Sequence, residues 1–127
     1  MMRENIDRPA ILNEVTAAFY RYEQALISND VAVLDELFWE DASTVRFGAT
    51  ENLYGIDQIR AFRSGRSPKG LDRQLRNTVI TTFSDELAVA STEFTREGSD
   101  KIGRQMQTWV RFPSGWKIVA AHVSLMG

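Results

Sequence analysis

The chain of 127 residues has no cysteine, one histidine and three prolines. The absence of cysteine excludes disulfide bonds, thiolate metal sites and a cysteine nucleophile, and it is compatible with a reducing compartment. A single histidine excludes a multi-histidine metal site, and no HExxH, Walker, GxGxxG or Gly-x-Ser-x-Gly pattern occurs. The residues therefore indicate no site for a metal or for an organic cofactor.

A strong charge of one sign and long apolar runs are also missing. The formal net charge is -2, whereas a nucleic-acid-binding domain normally presents a basic face. No stretch approaches the roughly 20 apolar residues of a membrane span, and the first residues contain no apolar signal core. We therefore expect no nucleic-acid partner, no membrane insertion and a cytoplasmic location.

The first half of the chain is typical of helices. Apolar residues recur at spacings of three and four from Pro9 to about Ser28, which predicts a first helix. Asp30 is suited to cap a second helix, so the two helices form a hairpin. Residues 44–47 are typical of a short strand, residues 48–52 of a turn, and residues 56–63 of a third, short helix.

The second half changes to a strand-like period after residue 70. Four long runs rich in β-branched and aromatic residues cover 71–83, 86–96, 102–112 and 116–126, with turn residues between them. The composition shows no break that would divide the chain, so we expect one domain over residues 1–127. The predicted fold class is α+β, with the helices on one face of a curved, mainly antiparallel sheet that leaves a conical space between them.

Tyr22 and Arg46 are the first candidates for a site in that space. Tyr22 lies in the apolar stripe of the first helix, with Leu12, Val15, Phe19 and Leu26. A buried tyrosine usually just finds a hydrogen-bond partner, but its phenol is also a capable acid. An inward Arg46 requires an internal carboxylate or an anionic ligand, because a lone buried charge is costly. Packing and anion binding both remain open for this pair.

Further candidates lie at the rim and on the last strand. Arg63 and Arg66 belong to a basic cluster with Arg60, which is either a solvated face or a set of side chains leaning over the pocket mouth. Simple alternation puts His122 and Ser124 on one face of the last strand, where they line the pocket as substrate-binding groups. A lone histidine is more often structural, and one bulge would move both residues to the opposite face and into a subunit interface.

The chain resembles the AtzH-like family, formerly a family of unknown function, within the nuclear transport factor 2-like superfamily. The resemblance rests on the element order and on four segments, AFRSGR at 61–66, LRNTVITTF at 75–83, QTWVRF at 107–112 and GWKIVAAHVSLM at 115–126. It implies a cone-shaped α+β fold. Oxalurate-catabolism proteins belong to the same family.

The resemblance also implies an activity and two essential residues. It implies a decarboxylating amidohydrolase that converts 1,3-dicarboxyurea to allophanate in cyanuric acid catabolism, without a metal, beside a carboxybiuret amidase and an allophanate hydrolase. A tyrosine on the first helix and an arginine on the first strand are implied to be catalytic, and these are Tyr22 and Arg46 in this chain. The implied ligand is a small anionic ureido acid.

Other functions and a homodimer stay open. A non-catalytic carboxylate-binding protein or an accessory subunit of a partner amidase fits the same residues, as does an amidohydrolase for a related ureido acid. An isomerase or dehydratase would need an Asp-His or Asp-Tyr pair in the pocket. Apolar residues on the outward face of the sheet favour a symmetric homodimer, and alternation assigns Val119, Ala121, Val123 and Leu125 to one such face.

Overall fold

The computed structural model describes residues 1–127 and contains three α-helices and six strands. A short 3-10 turn, Arg3–Asn5, precedes them. In chain order the elements are α1 (Pro9–Ser28), α2 (Val31–Leu37), β1 (Val45–Phe47), β2 (Asn52–Tyr54), α3 (Ile56–Ser64), β3 (Gln74–Ser84), β4 (Leu87–Thr95), β5 (Ile102–Phe112) and β6 (Gly115–Met126). The predicted α+β class, with helices followed by long strands, is confirmed. No helix has the length and apolar character that a membrane crossing requires.

The ends of the first two helices follow from their residues. Pro9 starts α1, where its fixed φ suits the first turn and its missing N–H costs no hydrogen bond. Asn29 ends α1 in the left-handed conformation, with φ 54°. The Asp30 carboxylate then accepts a hydrogen bond from the Val33 N–H at 3.3 Å and caps α2. The predicted hairpin of two helices is confirmed.

The six strands form one sheet in the order β2-β1-β6-β5-β4-β3. Strands β3 to β6 are consecutive antiparallel hairpins, as predicted, and β1 adds to β6 in parallel. The prediction of a turn followed directly by a helix missed β2, which pairs antiparallel with β1. Only Leu53 is buried in this three-residue strand, so β2 is too short for alternation to reveal it.

A bulge in β6 reverses the predicted facing of its second half. Trp109 pairs with Ile118 and Thr108 pairs with Ala120, so Val119 is an extra residue without a partner. As a result Ile118 and Ala121 both face the helices, which no strict alternation allows. We call the side covered by the helices the inner face and the other side the outer face.

The bulge corrects two predictions about the last strand. His122 pairs with Met106 on β5 and with Phe47 on β1, and Ser124 pairs with Arg104, so both side chains lie on the outer face. Their predicted place in the pocket is wrong. Ala121, Val123 and Leu125 pair with Gln107, Gln105 and Gly103 on the inner side of the sheet, so the assignment of these three residues to the outward face is also wrong.

The core lies between the helices and the inner face. Its fully enclosed side chains include Val15 and Phe19 of α1, Leu34 of α2, Trp109 of β5 and Ile118 of β6. Away from these side chains, towards the start of β5, the inner face becomes polar. There Gln105 and Gln107 are almost completely buried.

Phe94 of β4 packs directly over Gly103 of β5, its partner in the sheet. A Cβ added at Gly103 would lie 2.1 Å from the Phe94 ring, far closer than real side chains approach one another. The glycine therefore makes room for the ring. The ring in turn lies beneath two guanidinium groups, since the Arg73 and Arg96 Cζ atoms are 4.4 and 4.9 Å from its centre.

Replacing Gly103 by alanine should destabilise the fold. The added methyl group forces the Phe94 ring out of its position, and overpacking of this kind costs about 1–3 kcal/mol. Urea unfolding measures the change, with the exposed Lys101→Ala as a control on the same hairpin, expected to stay within about 0.5 kcal/mol. Equal stabilities of the two variants would contradict this packing.

Candidate functional site

The site is built over a row of three residues across the inner face. Arg46 of β1 is next to Ala121 of β6, which is next to Gln107 of β5. Strands are about 4.8 Å apart, so the backbones of Arg46 and Gln107 are about 10 Å apart. Only the methyl group of Ala121 lies between them. The small side chain of Ala121 therefore leaves open space above the sheet, between the long polar side chains of Arg46 and Gln107.

Tyr22 lies above this row on the buried side of α1. Its side chain is 3% exposed and its ring centre is 6.1 Å from that of Phe38. The indole N–H groups of Trp109 and Trp116 donate hydrogen bonds to Gln107 and Glu14. The Tyr22 hydroxyl, in contrast, has no protein partner among the side-chain hydrogen bonds. The inward direction of the Tyr22 side chain agrees with the helix period. The hydrogen-bond partner that a buried tyrosine hydroxyl usually has is not found.

Arg46 has an internal carboxylate partner, which is one of the two alternatives that the sequence left open. Its Nη1 atom donates to Glu51 Oε2 at 2.9 Å, and its guanidinium lies 5.4 Å from the centre of the Phe62 ring. Burial alone would raise the pKa of Glu51, but hydrogen bonds from Thr50 and Arg46 lower it below its ordinary value. The pair fixes one edge of the guanidinium. Its other nitrogen atoms form no hydrogen bond with the protein and are available to a ligand.

Arg63 is the most enclosed arginine of α3. Its Nη1 atom donates to Asp35 Oδ1 at 2.7 Å, and its guanidinium lies 4.8 Å from the centre of the Phe38 ring. Burial lowers the pKa of Arg63, while Tyr22 and Asp35 act in the opposite direction. Arginine remains charged despite such a shift. Arg63 and Tyr22 thus both lie next to Phe38, close enough to each other to interact electrostatically.

Arg66 and Arg96 have no carboxylate partner. The Nε and Nη2 atoms of Arg66 and the Nε atom of Arg96 are closed off from solvent and make no hydrogen bond. Burial lowers the pKa of both guanidinium groups, and the nearby charges of Arg46, Arg63 and Arg96 lower that of Arg66 further, against an opposing effect of Tyr22. These two residues are therefore cationic groups held next to other cations without local neutralisation.

Glu23 and Arg73 form a buried ion pair beside Tyr22. Arg73 donates through Nε and Nη2 to the two oxygens of Glu23 at 2.9 and 2.6 Å, and through Nη2 to Gln105 Oε1 at 3.0 Å. The Arg73 side chain is 2% exposed. This fork geometry satisfies both partners. The pair ties α1 to the residue that directly precedes β3, one position along α1 from Tyr22.

The inner face also presents two amide groups with free donors. Gln105 and Gln107 each use their oxygen, to accept from Arg73 and from Trp109 respectively. The nitrogen of each amide is buried and unpaired. Since an NH2 group only donates, these nitrogens face the interior as unfilled sites for an acceptor.

The charges of this region do not balance internally. Arg46, Arg63 and Arg73 pair with Glu51, Asp35 and Glu23, whereas Arg66 and Arg96 pair with no carboxylate. Five guanidinium groups and three carboxylates leave two positive charges. The arrangement is chemically suited to a small dianion, because each remaining donor needs an acceptor and no further internal acceptor is in place.

The structure brings together four of the six residues proposed from the sequence. Tyr22, Arg46, Arg63 and Arg66 lie around one region of the interior, as their mutual electrostatic effects show. His122 and Ser124 lie on the other side of the sheet, where His122 makes an edge-to-face contact with Phe47 at 5.8 Å. The bulge at Val119 accounts for this separation.

Sequence reasoning missed the other polar residues that complete the region, on α1, in the loops and on β5. These are Glu23, Glu51, Arg73, Arg96, Gln105 and Gln107. A signal was present in β5, where glycine, glutamine, glutamine and tryptophan alternate at positions 103, 105, 107 and 109. The opposite face of β5 carries the apolar Ile102, Met106 and Val110, so the usual rule that apolar side chains face inward selects the wrong face.

Nothing in the region suggests a metal centre. No group of three or more His, Asp or Glu side chains lies close enough together to hold a metal ion. The polar chemistry of the site is therefore that of guanidinium, amide and phenol groups. A cavity of about 570 Å³ opens beside it, lined by Asp72, Arg73, Gln74, Thr95, Arg96 and Glu97.

Comparisons with known proteins agree on family and fold. A sequence model of the AtzH-like family matches residues 4–127. The chain is similar to a protein with unknown function from Pectobacterium atrosepticum, at 68% identity and a TM-score of 0.99, with 100% of this chain and 99% of that chain covered. A cystatin-like fold protein from Burkholderia xenovorans is 48% identical over 96% of both chains, with a TM-score of 0.92.

A more distant structure shows the same fold. It is a nuclear transport factor 2-like superfamily protein from Salmonella enterica, 24% identical, with a TM-score of 0.70 over 93% of this chain and 91% of that chain. A search of curated proteins found no match. The expected fold is confirmed by this structure.

The buried ion pair of Glu23 and Arg73 gives a stability prediction. Arg73→Met should cost about 3–5 kcal/mol, because it leaves a buried carboxylate without a partner. The double variant Arg73→Met with Glu23→Leu should recover most of this loss. The matched control is Arg76→Met, three residues further along the chain in β3, which breaks the exposed pair with Glu93 and should cost no more than about 1 kcal/mol. Urea unfolding that shows equal costs for the two single variants would contradict the account.

Proposed function

The chain belongs to the AtzH-like family, and from this premise we propose that it is a decarboxylating amidohydrolase that converts 1,3-dicarboxyurea to allophanate. Membership of this family suggests a role related to the cyanuric acid pathway. The pathway neighbours in this proposal are a carboxybiuret amidase and an allophanate hydrolase. The proposal also includes a cytoplasmic location.

The observation that carries the proposal is the unbalanced positive charge beside a free phenol. The substrate has a carboxylate at each end of a urea, so it is a dianion. Two guanidinium groups without carboxylate partners, Arg66 and Arg96, supply the matching charge. The Tyr22 hydroxyl lies in the same region without a protein partner, which leaves its proton available for transfer to a ligand.

Arg46 is the residue proposed to hold the reacting end of the substrate. Glu51 engages only its Nη1 atom, so the other edge of the guanidinium can donate to a carboxylate. The ion pair with Glu51 and the contact with Phe62 hold the side chain in place before the substrate arrives. A planar fork of this kind also fixes the orientation of the carboxylate.

Tyr22 is the proposed proton donor. The bond between a terminal carboxylate carbon and the adjacent nitrogen breaks, its electron pair stays on the nitrogen, and the carboxylate carbon leaves as carbon dioxide. The nitrogen takes the proton of the Tyr22 hydroxyl, and water restores that proton afterwards. The products are allophanate and carbon dioxide, and no oxidant or metal takes part in this scheme. In a hydrolytic variant, Tyr22 positions a water molecule instead.

A homodimer formed through the outer face is part of the proposal. This face carries Phe47, Val89, Met106 and Ala120 around a shallow cavity of about 370 Å³, with Thr108 and His122. Met106 is 56% exposed and Val79 is 58% exposed. An exposed apolar sheet face of this kind favours association with a second copy.

Tyr22→Phe should keep the fold and lose turnover. Only the hydroxyl is removed, and positioned general acids contribute about 100-fold or more to rate. The assay follows carbon dioxide release from 1,3-dicarboxyurea with the purified chain alone. The matched control is Tyr20→Phe, an exposed tyrosine on the same helix, which should keep the parental rate.

The outcome of this assay also separates the enzyme from its main alternative. A parental rate in Tyr22→Phe would contradict the catalytic role of the hydroxyl. Activity that appears only after a partner amidase is added would favour an accessory, carboxylate-binding protein. Carbon dioxide release by the chain alone supports the enzyme.

Arg46→Lys should weaken substrate binding. A lysine keeps the charge but replaces the planar fork with a single point of contact, so we expect KM to rise about tenfold, corresponding to about 1.4 kcal/mol. Arg60→Lys is the matched control, because Arg60 pairs with Glu40 on the surface. Unchanged saturation by the substrate in Arg46→Lys would show that Arg46 is structural.

A further inference from the structure

In the proposed function Arg66 and Arg96 supply matching positive charge, but neither of them, nor Gln105, is assigned to a particular part of the substrate. Arg46 holds one carboxylate and Tyr22 protonates the nitrogen, but neither involves Arg96 or Gln105. Arg96 Nε and Gln105 Nε2 are buried and unpaired, as are Nε and Nη2 of Arg66. Gln105 is only 2% exposed, so solvent contact does not replace the missing partner.

Leaving these donors without an acceptor is costly in a folded protein. A buried N–H group without a partner loses its hydrogen bonds to water, and the loss is larger when the group is charged. The unpaired atoms of these three residues are all donors, and the residues come from separate segments: the loop after α3, the position directly after β4, and strand β5. A single acceptor with several lone pairs and a negative charge would satisfy them together. A carboxylate has these properties.

The neighbouring Arg73 shows what a satisfied guanidinium looks like in the same place. Arg73 and Arg96 both lie over the Phe94 ring, at 4.4 and 4.9 Å from its centre. Glu23 neutralises Arg73 through two hydrogen bonds, and Gln105 accepts a third. No carboxylate does the same for Arg96. Of the two guanidinium groups over the Phe94 ring, only that of Arg73 is therefore paired with a carboxylate.

A route from solvent reaches this position. The cavity of about 570 Å³ at the ends of β3 and β4 is lined by Arg73 and Arg96. Arg96 is half-buried and lies at the boundary between this cavity and the Phe94 ring. A small anion in the cavity can therefore reach Arg96, while the exposed Asp72 and Glu97 line the same cavity.

We propose that Arg66, Arg96 and Gln105 form a second carboxylate subsite, which makes the protein selective for small molecules with a carboxylate at both ends. Arg46 binds the carboxylate next to the reacting nitrogen, and the second subsite binds the distant one. For the identity of the substrate the inference rests on the proposed function. Binding of the second carboxylate does not depend on turnover.

A pair of unreactive ligands tests the subsite directly. Glutarate has the same number of atoms between its carboxylates as 1,3-dicarboxyurea, and 5-amino-5-oxopentanoate replaces one of these carboxylates with a neutral amide. Calorimetric titration of the parental protein should show glutarate binding at least about tenfold more tightly, because charge-assisted hydrogen bonds are the stronger ones. Arg96→Gln and Arg66→Gln should each reduce glutarate binding to nearly the level of the monoamide.

Two comparisons keep the test specific. Arg104→Gln is the matched control, since Arg104 is exposed on the outer face, where it donates to Ser124, and it should keep the full preference for glutarate. Arg66 lies in the loop after α3, so Arg66→Gln keeps the test open if Arg96→Gln is unstable. Affinity for the monoamide should change less than about twofold in either variant.

The inference would be overturned by equal affinities for the two ligands in the parental protein. A preference for glutarate that survives both Arg66→Gln and Arg96→Gln would also overturn it. The result is independent of catalysis. Turnover of 1,3-dicarboxyurea without the ligand preference would reject the subsite and keep the proposed function, while the ligand preference without turnover would do the reverse.

Discussion

The burial of positive charge between the helices and the sheet is the constraint on which the site depends. Burial lowers the pKa of Arg63, Arg66 and Arg96, which means that the folded protein holds these cations where water solvates them poorly. Three carboxylates compensate part of the charge. The protein itself does not compensate the remaining charge, and this charge is the basis of the proposed binding of an anion.

The fold tolerates this charge because small residues and aromatic rings prepare the space for it. The small side chain of Ala121 leaves space between Arg46 and Gln107. Gly103 leaves room for the Phe94 ring, which contacts two guanidinium groups. Phe38 and Phe62 hold Arg63 and Arg46 in the same way. Contacts between guanidinium groups and ring faces recover part of the interaction that the cations lose with water. The ring contacts also limit the rotation of the guanidinium groups.

The sequence was sufficient to predict the helices and strands whose residue pattern extends over many positions. The helical period over twenty residues predicts α1 and the inward direction of Tyr22, and the four hairpin strands follow from β-branched runs and turn residues. Prediction from the sequence failed where a single residue determines which face of the sheet a side chain occupies. The extra residue Val119 reverses the facing of β6, and with it the positions of His122 and Ser124. The three-residue β2 is too short to show a period at all.

The partners of the charged residues were beyond sequence reasoning for a different reason. Arg73 and Glu23 are 50 positions apart, so nothing local connects them before the sheet curves over α1. The apolar residues on the outer face of β5 also lead the alternation rule to predict that the inner glutamines are exposed. Family resemblance identified Tyr22 and Arg46, while the wider set of guanidinium and amide donors became visible only in three dimensions.

A crystal structure of the protein with bound glutarate tests the central claim most directly. The account predicts one carboxylate within hydrogen-bond distance of the Arg46 guanidinium and the other on Arg66 and Arg96. The Tyr22 hydroxyl should then lie next to the carbon atom that takes the place of the reacting nitrogen. A ligand bound elsewhere, or a ligand that touches Arg46 but lies beyond reach of Tyr22, would contradict it.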